Sequence, residues 1–97
     1  MAQTFVSVTI PAGQQIILIE KPQVSRRIFM SVRALADDTK WAMSKISLGD
    51  PLFSRYFVLD GPGKYFEAKG EGIFQGDVWV RNTYTNALLY TASEILL

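Results

Sequence analysis

Short runs in which apolar and polar side chains alternate make up much of the chain. The first run, Thr4 to Ile10, places Val6, Val8 and Ile10 on one face and Phe5 with polar residues on the other. A two-residue period with β-branched residues is typical of a half-buried β-strand. Further strands are predicted over residues 14–20, 26–34, 41–48, 52–59, 64–68, 77–82 and 87–97.

The runs at 14–20 and 52–59 differ from the others because they carry apolar residues on both faces. Four consecutive aliphatics, Ile16 to Ile19, predict a strand that is buried on both sides and that could form a hairpin with the first strand. Aromatic residues on both faces of 52–59 predict a central strand. Residues 33–43 are the only candidate for a helix, but Asp37-Asp38-Thr39 is more typical of a turn between strands.

Glycine, proline and aspartate mark the ends of the strands. The strongest turn pattern, Asp60-Gly61-Pro62-Gly63, predicts a hairpin, because glycine tolerates positive φ and proline fixes its own φ. Gly70-Glu71-Gly72 ends one strand, and Gly76-Asp77 predicts a second tight reversal. About eight or nine short strands separated by turns predict an all-β fold, an antiparallel β-sandwich or a jelly-roll-like barrel. The length of 97 residues fits a single β domain over 1–97.

Histidine and cysteine are absent from the sequence. Their absence removes the usual general base at neutral pH, the Ser-His and Cys-His nucleophile pairs, and the preferred ligands of structural zinc. Disulfide bonds are excluded because the sequence has no cysteine. We therefore predict that the protein is not an enzyme and has no catalytic residues and no cofactor.

Two loop segments contain residue types that bind phosphate or calcium in other proteins. Gly61-Pro62-Gly63-Lys64 lacks the longer glycine-framed loop and the following Ser or Thr of a P-loop, so a hairpin is the favoured interpretation. Asp37 and Asp38 could approach other aspartates at one end of a sandwich, but the calcium-loop spacing is absent. Turn roles are favoured for both, and we predict no metal site.

The charge is nearly balanced, with 10 Lys+Arg against 9 Asp+Glu and a net charge of +1. Binding to nucleic acid would call for a clustered basic face. The only basic concentration is Arg26, Arg27 and Arg33, and strand alternation places Arg27 and Arg33 on a solvated face. No apolar stretch approaches the roughly 20 residues of a membrane span. We expect neither nucleic acid nor a membrane as partner.

Aromatic side chains are the best candidates for binding, because Trp and Tyr combine a flat apolar face with a polar group. If Val78 and Val80 point inward, Trp79 lies outside and marks a contact site, whereas the opposite assignment makes Trp79 part of the core. Both assignments remain open at this stage. Trp79 and Tyr84 are candidate interface residues, and Trp41 and Trp79 are candidates for stacking on sugar rings.

The sequence ends on three bulky aliphatics, Ile95, Leu96 and Leu97. One interpretation is that Ile95 and Leu97 complete the core within the last strand while Leu96 is exposed. The other is a subunit contact that also shields an edge strand. All three are therefore candidate interface residues.

The last third of the chain has a Gly-Asp-hydrophobic-aromatic-hydrophobic strand, then a polar turn, and then a terminal strand that ends near Thr/Ser-x-Glu-aliphatic. These features lie in residues 70–73, 75–82 and 88–95. This arrangement resembles the closing hairpin of small virion proteins of tailed bacteriophages. Such proteins are small β-sandwiches that decorate or cement capsids, or lie in the tail or fibre, usually as trimers or other symmetric oligomers. The resemblance implies a homo-oligomer, with a trimer favoured, in contact with a capsid shell in a virion.

We therefore expect a non-enzymatic structural or assembly protein that self-associates and binds other structural subunits, as a capsid decoration (cement) protein or another virion protein. Without the resemblance, the compartment stays undetermined. The alternative is a carbohydrate-binding β-sandwich module in which the exposed aromatics Trp41 and Trp79 stack on sugars.

Overall fold

Eight β-strands and no helix make up the secondary structure of the computed structural model, which describes residues 2–36, 41–52, 56–60 and 65–97. The predicted turn at 37–39, the P-loop-like segment 61–64 and residues 53–55 lie outside the described residues. The strands are β1 (Ala2–Ile10), β2 (Gln15–Ile19), β3 (Arg27–Leu35), β4 (Met43–Leu48), β5 (Tyr56–Asp60), β6 (Tyr65–Lys69), β7 (Val78–Asn82) and β8 (Leu88–Leu96).

The strands form two four-stranded sheets that pack face to face. Sheet A has the order β1-β8-β3-β6 and sheet B has the order β2-β7-β4-β5. Every pair of neighbouring strands is antiparallel. Eight strands in two such sheets have the layout of a jelly roll. The prediction of an all-β sandwich of jelly-roll type is confirmed.

The core lies between the sheets and is built from the inward half of each alternating strand. In β8, for example, Leu88, Tyr90 and Ala92 are buried whereas Leu89 is exposed. The buried apolar side chains are Ile10, Leu18, Ile19, Met30, Val32, Ala34, Ala42, Ile46, Leu59, Ile73, Val78, Val80, Leu88, Tyr90 and Ala92.

Most connections cross from one sheet to the other, which contradicts two hairpins predicted from turn patterns and the closing hairpin implied by the resemblance. β1 and β2, β5 and β6, and β7 and β8 each lie in opposite sheets. Among the described strands, only β4 and β5 are neighbours both in sequence and in a sheet. A turn pattern shows where a strand ends, but not whether the next strand pairs with it or crosses the core.

The two strands that were expected to be buried on both faces are edge strands. β5 is the last strand of sheet B, not a central one, and Tyr56, Phe57 and Val58 are exposed there. β2 forms the opposite edge, where its register with β7 shifts between Ile17 and Ile19. This β-bulge leaves Leu18 and Ile19 both buried while Ile17 faces outward.

A second bulge, at the start of β3, turns Arg27 into the interior. The register of β3 against β8 shifts between Arg27 and Phe29. Arg27 is consequently fully buried, whereas Arg33 is exposed. The prediction that both arginines share a solvated face is wrong for Arg27, because strict alternation does not hold across a bulge.

Candidate assembly surface

The structure distributes the five candidate interface residues over three places. Ile95 lies at the end of β8 on the outer side of sheet A, whereas Leu96 is on the inward-facing side. Leu97 directly follows β8 and is exposed. Trp79 lies on the outer face of sheet B, because Val78 and Val80 point inward and are fully buried.

Tyr84, the fifth candidate, lies in the connection between β7 and β8 and packs partly against the core. The backbone N–H of Tyr84 donates a hydrogen bond to Asn82 Oδ1 over 2.9 Å. Asn82 is itself fully buried and donates to the carbonyls of Ile10 and Asn86. These contacts hold the backbone of Tyr84 in the turn between β7 and β8.

The end of β8 is part of a central strand, so it is not the edge strand that the subunit-contact interpretation expected. β8 pairs with β1 on one side and β3 on the other, and Leu96 is included in both pairings. The inward side of this end carries Glu94, which is buried. Leu96 thus occupies the inward position that the core interpretation gave to Ile95 and Leu97, and that assignment of faces is wrong.

Three apolar side chains, Phe5, Phe29 and Ile95, are neighbours on the outer face of sheet A, and the exposed Leu97 directly follows β8 two residues after Ile95. We call these four residues the apolar patch. Ile95 is directly opposite Phe29 on β3, and Phe5 is its diagonal neighbour on β1. Side chains in these positions are within contact reach. Phe5 and Leu97 are 69% and 68% exposed, whereas Phe29 and Ile95 are half-buried.

Polar residues surround the apolar patch along the sheet. Ser31 and Ser93 face each other in the next row and share a hydrogen bond of 2.9 Å. The same face carries Glu67 and Lys69 on β6, opposite Ser31 and Phe29 respectively. An apolar centre with a polar rim is the usual composition of a protein–protein contact.

The outer face of sheet B is partly covered by the chain itself. Trp79 lies between Ile17 on β2 and Ser47 on β4, and it is half-buried. The Gln15 side chain on β2 donates a hydrogen bond of 2.8 Å to the carbonyl of Pro51, in the turn after β4. Because β7 lies between β4 and β2, this bond draws the turn across the strand that carries Trp79.

The two tryptophans proposed for sugar stacking do not form one platform. Trp79 is opposite Ser47, and Trp41 lies six residues before Ser47, just ahead of β4. At about 3.3 Å per residue this places them roughly 20 Å apart along the strand direction. Trp41 is 62% exposed and stands at the far end of the sheet.

An aromatic groove that sequence analysis missed lies at the open edge between β5 and β6. Its volume is about 680 Å³, and the rings of Phe57 and Phe66 stack beside it with centroids 4.9 Å apart. Alternation placed Phe57 and Phe66 on their strands correctly, but their meeting depends on β5 and β6 being the edges of opposite sheets. The topology, and not the local pattern, creates this groove.

Buried polar groups in the described residues serve the fold. The hydroxyls of Ser44 and Tyr90 form a hydrogen bond inside the core. Burial raises the pKa of Tyr90, and the bond from Ser44 opposes that shift. Residues 2–36, 41–52, 56–60 and 65–97 contain no group of three or more Asp or Glu side chains that could hold a metal ion.

No protein-family model matches the chain, and no curated protein is similar enough in sequence to count as a relative. Within the described part of the chain there is no helix long and apolar enough to cross a membrane.

Proposed function

We propose that the protein is a non-catalytic assembly protein that self-associates and binds other structural subunits through the outer face of sheet A, as a capsid decoration or cement protein of a virion. The observation that carries the assembly role is the apolar patch. It joins two side chains more than two-thirds exposed, Phe5 and Leu97, to two half-buried ones, Phe29 and Ile95.

The patch is a suitable centre for a weak, repeated contact. Burying a Phe or Leu side chain fully contributes about 1.5 to 3 kcal/mol, so the exposed parts of Phe5 and Leu97 offer about 1 to 2 kcal/mol each. A stable contact buries roughly 800 Å² on each partner. The surrounding Ser, Glu and Lys side chains would supply its polar rim.

The virion role is supported by the jelly-roll strand order and by the resemblance in sequence of residues 70–73, 75–82 and 88–95 to phage virion proteins. The resemblance does not extend to the closing hairpin, because β7 and β8 lie in opposite sheets. Jelly rolls occur in viral capsid proteins, but also in lectin domains and cupins. Fold alone therefore does not assign this role. Mass spectrometry of virions purified from cells that carry the gene would test it: peptides of this chain in the particles support the role, and their absence refutes it.

The assembly role is tested by the oligomeric mass and its dependence on the patch. Sedimentation equilibrium should show a multimer of the wild-type protein at high micromolar concentration. The double variant Phe5→Ser/Leu97→Ser should weaken association by about 10-fold or more, since each 1.4 kcal/mol corresponds to a factor of 10.

A matched control uses the other sheet. Tyr56→Ser/Val58→Ser removes two apolar side chains that are 47% and 49% exposed on the outer face of sheet B. This variant should associate as the wild type does. A strictly monomeric wild type, or equal weakening by both double variants, would contradict the proposed role of the patch.

A further inference from the structure

Each of the two sheets has two edge strands, and the edges differ in how they are protected. An edge strand presents N–H and C=O groups that have no strand partner on one side, and proteins commonly protect it with charges, bulges or short length. β2 has the bulge between Ile17 and Ile19. β6 carries Glu67 and Lys69, and β5 is only five residues long.

β1 has none of these protective features. It runs for nine residues, Ala2–Ile10, and contains no charged residue, proline or glycine. All nine residues pair with β8 in an unbroken register, so the strand is regular along its whole length. Most of its residues are exposed. Among the described strands, none pairs with the free side of β1.

We propose that two copies of the chain join edge to edge through β1, in antiparallel orientation, so that sheet A of one copy continues into sheet A of the other. This inference rests on the self-association proposed above and adds a second contact between copies to it: the apolar patch joins copies through the outer face of sheet A, and β1 joins them edge to edge. The occupant is a second copy because β1 is self-complementary. A strand without charge meets no like-charge repulsion when it pairs with itself.

A two-fold axis at Val6 uses the full length of the strand. It places Val6 against itself, Thr4 against Val8 of the second copy, and Ala2 against Ile10 of the second copy. Even-numbered residues then meet even-numbered ones, so the core-facing side of β1 stays on the core-facing side of the joined sheet. The register follows from the length and alternation of β1 alone.

The size of the joint fits a specific contact. Nine residues span about 30 Å, and antiparallel pairing supplies roughly one backbone hydrogen bond per residue. A typical interface has about 10 direct hydrogen bonds. Because Phe5 lies on β1, the joint also brings the apolar patches of two copies onto one continuous sheet face and so enlarges the surface offered to other subunits.

Cysteine cross-linking tests the joint, since the natural chain has no cysteine. Directly opposed residues of antiparallel strands have Cα atoms about 4.5 to 5.5 Å apart, within the range of a disulfide. Val6→Cys should form a disulfide-linked dimer in a glutathione redox buffer if the two-fold axis lies at Val6. Ser7→Cys should do so if the axis lies at Ser7. Leu89→Cys, exposed on the central strand β8, is the control and should remain monomeric in denaturing electrophoresis without reductant.

A pair of lysine variants tests the joint without a new covalent bond. Thr4→Lys places a charge on the core-facing side of β1 at an exposed position, where edge pairing would enclose it. Thr9→Lys adds the same charge on the outer face of the same strand. Sedimentation equilibrium should show association weakened at least 10-fold by Thr4→Lys and little changed by Thr9→Lys.

The outcomes separate this inference from the proposed function. A wild-type multimer that gives no cross-link at position 6 or 7, or that has the mass of a trimer, overturns the β1 joint and leaves the assembly role standing. A wild-type protein that stays monomeric at high micromolar concentration overturns both.

Discussion

Arg27 connects three parts of the chain inside the sandwich. Its guanidinium donates hydrogen bonds to the main-chain carbonyls of Phe74 (2.8 Å), Gly76 (3.0 Å) and Glu20 (3.1 Å). Its Nη2 lies 3.6 Å from Oε2 of Glu94, and the two side chains are 0% and 5% exposed. Burial lowers the pKa of Arg27, and the opposing charge of Glu94 counteracts that shift.

We predict that Arg27→Met lowers the free energy of unfolding by about 3 to 5 kcal/mol. Removal of one partner of a buried ion pair costs about this much because the other charge stays buried without compensation. The carbonyl groups that lose their donors add to the cost. The total stability of a domain is about 5 to 15 kcal/mol, and Tm falls by about 4 to 8 °C per kcal/mol at this size.

Urea unfolding followed by tryptophan fluorescence measures the effect. Arg26→Met is the matched control, because Arg26 is the exposed neighbour and the variant loses the same charge. A double-mutant cycle with Glu94→Gln should show that Arg27→Met costs less when the carboxylate has already been removed. A loss below about 1 kcal/mol, or one equal to that of Arg26→Met, would refute the buried pair as a stabilising contact.

Two further predictions concern packing and pH. Gly49→Ala should lower the free energy of unfolding by about 1 to 3 kcal/mol more than Gly13→Ala in urea titrations. Both glycines have positive φ, but an added Cβ overlaps the Phe74 ring only at Gly49; equal losses would contradict this packing. Because burial raises the pKa of Tyr90 above the ordinary value of a tyrosine, about 10, the folded state keeps a proton that the unfolded state releases, and stability falls as pH rises through about 10. Tyr90→Phe should make that decline shallower between about pH 9 and pH 11, and an unchanged slope would count against it.

Strand positions were largely predictable because alternation is a local property. β1, β4, β7 and β8 begin and end within about two residues of the predicted runs. The inward assignment of Val78 and Val80, one of two alternatives that the sequence left open, needed the structure. A strand with apolar residues on both faces gives no internal sign of which face meets the core.

Strand pairing was not predictable from the same local patterns. β8 pairs with β1, at the opposite end of the sequence, and no turn pattern encodes such a contact. The two bulges also escaped detection, since Arg27 in an alternating run has the sequence pattern of a solvated residue. The apolar patch was likewise only partly predictable from sequence. Ile95 was a candidate from the start, but Phe5 and Phe29 became its neighbours only through the sheet order.

The two-layer architecture explains why apolar residues remain outside. A sandwich has one interior, so about half of the residues of each strand face outward whatever their chemistry. A one-residue shift of β1 would bury Phe5 but turn Val6 and Val8 outward, so the strand has no register that covers all three. Under the proposed assembly role, cover for Phe5 and its neighbours comes from another molecule, either a second copy or a different structural subunit.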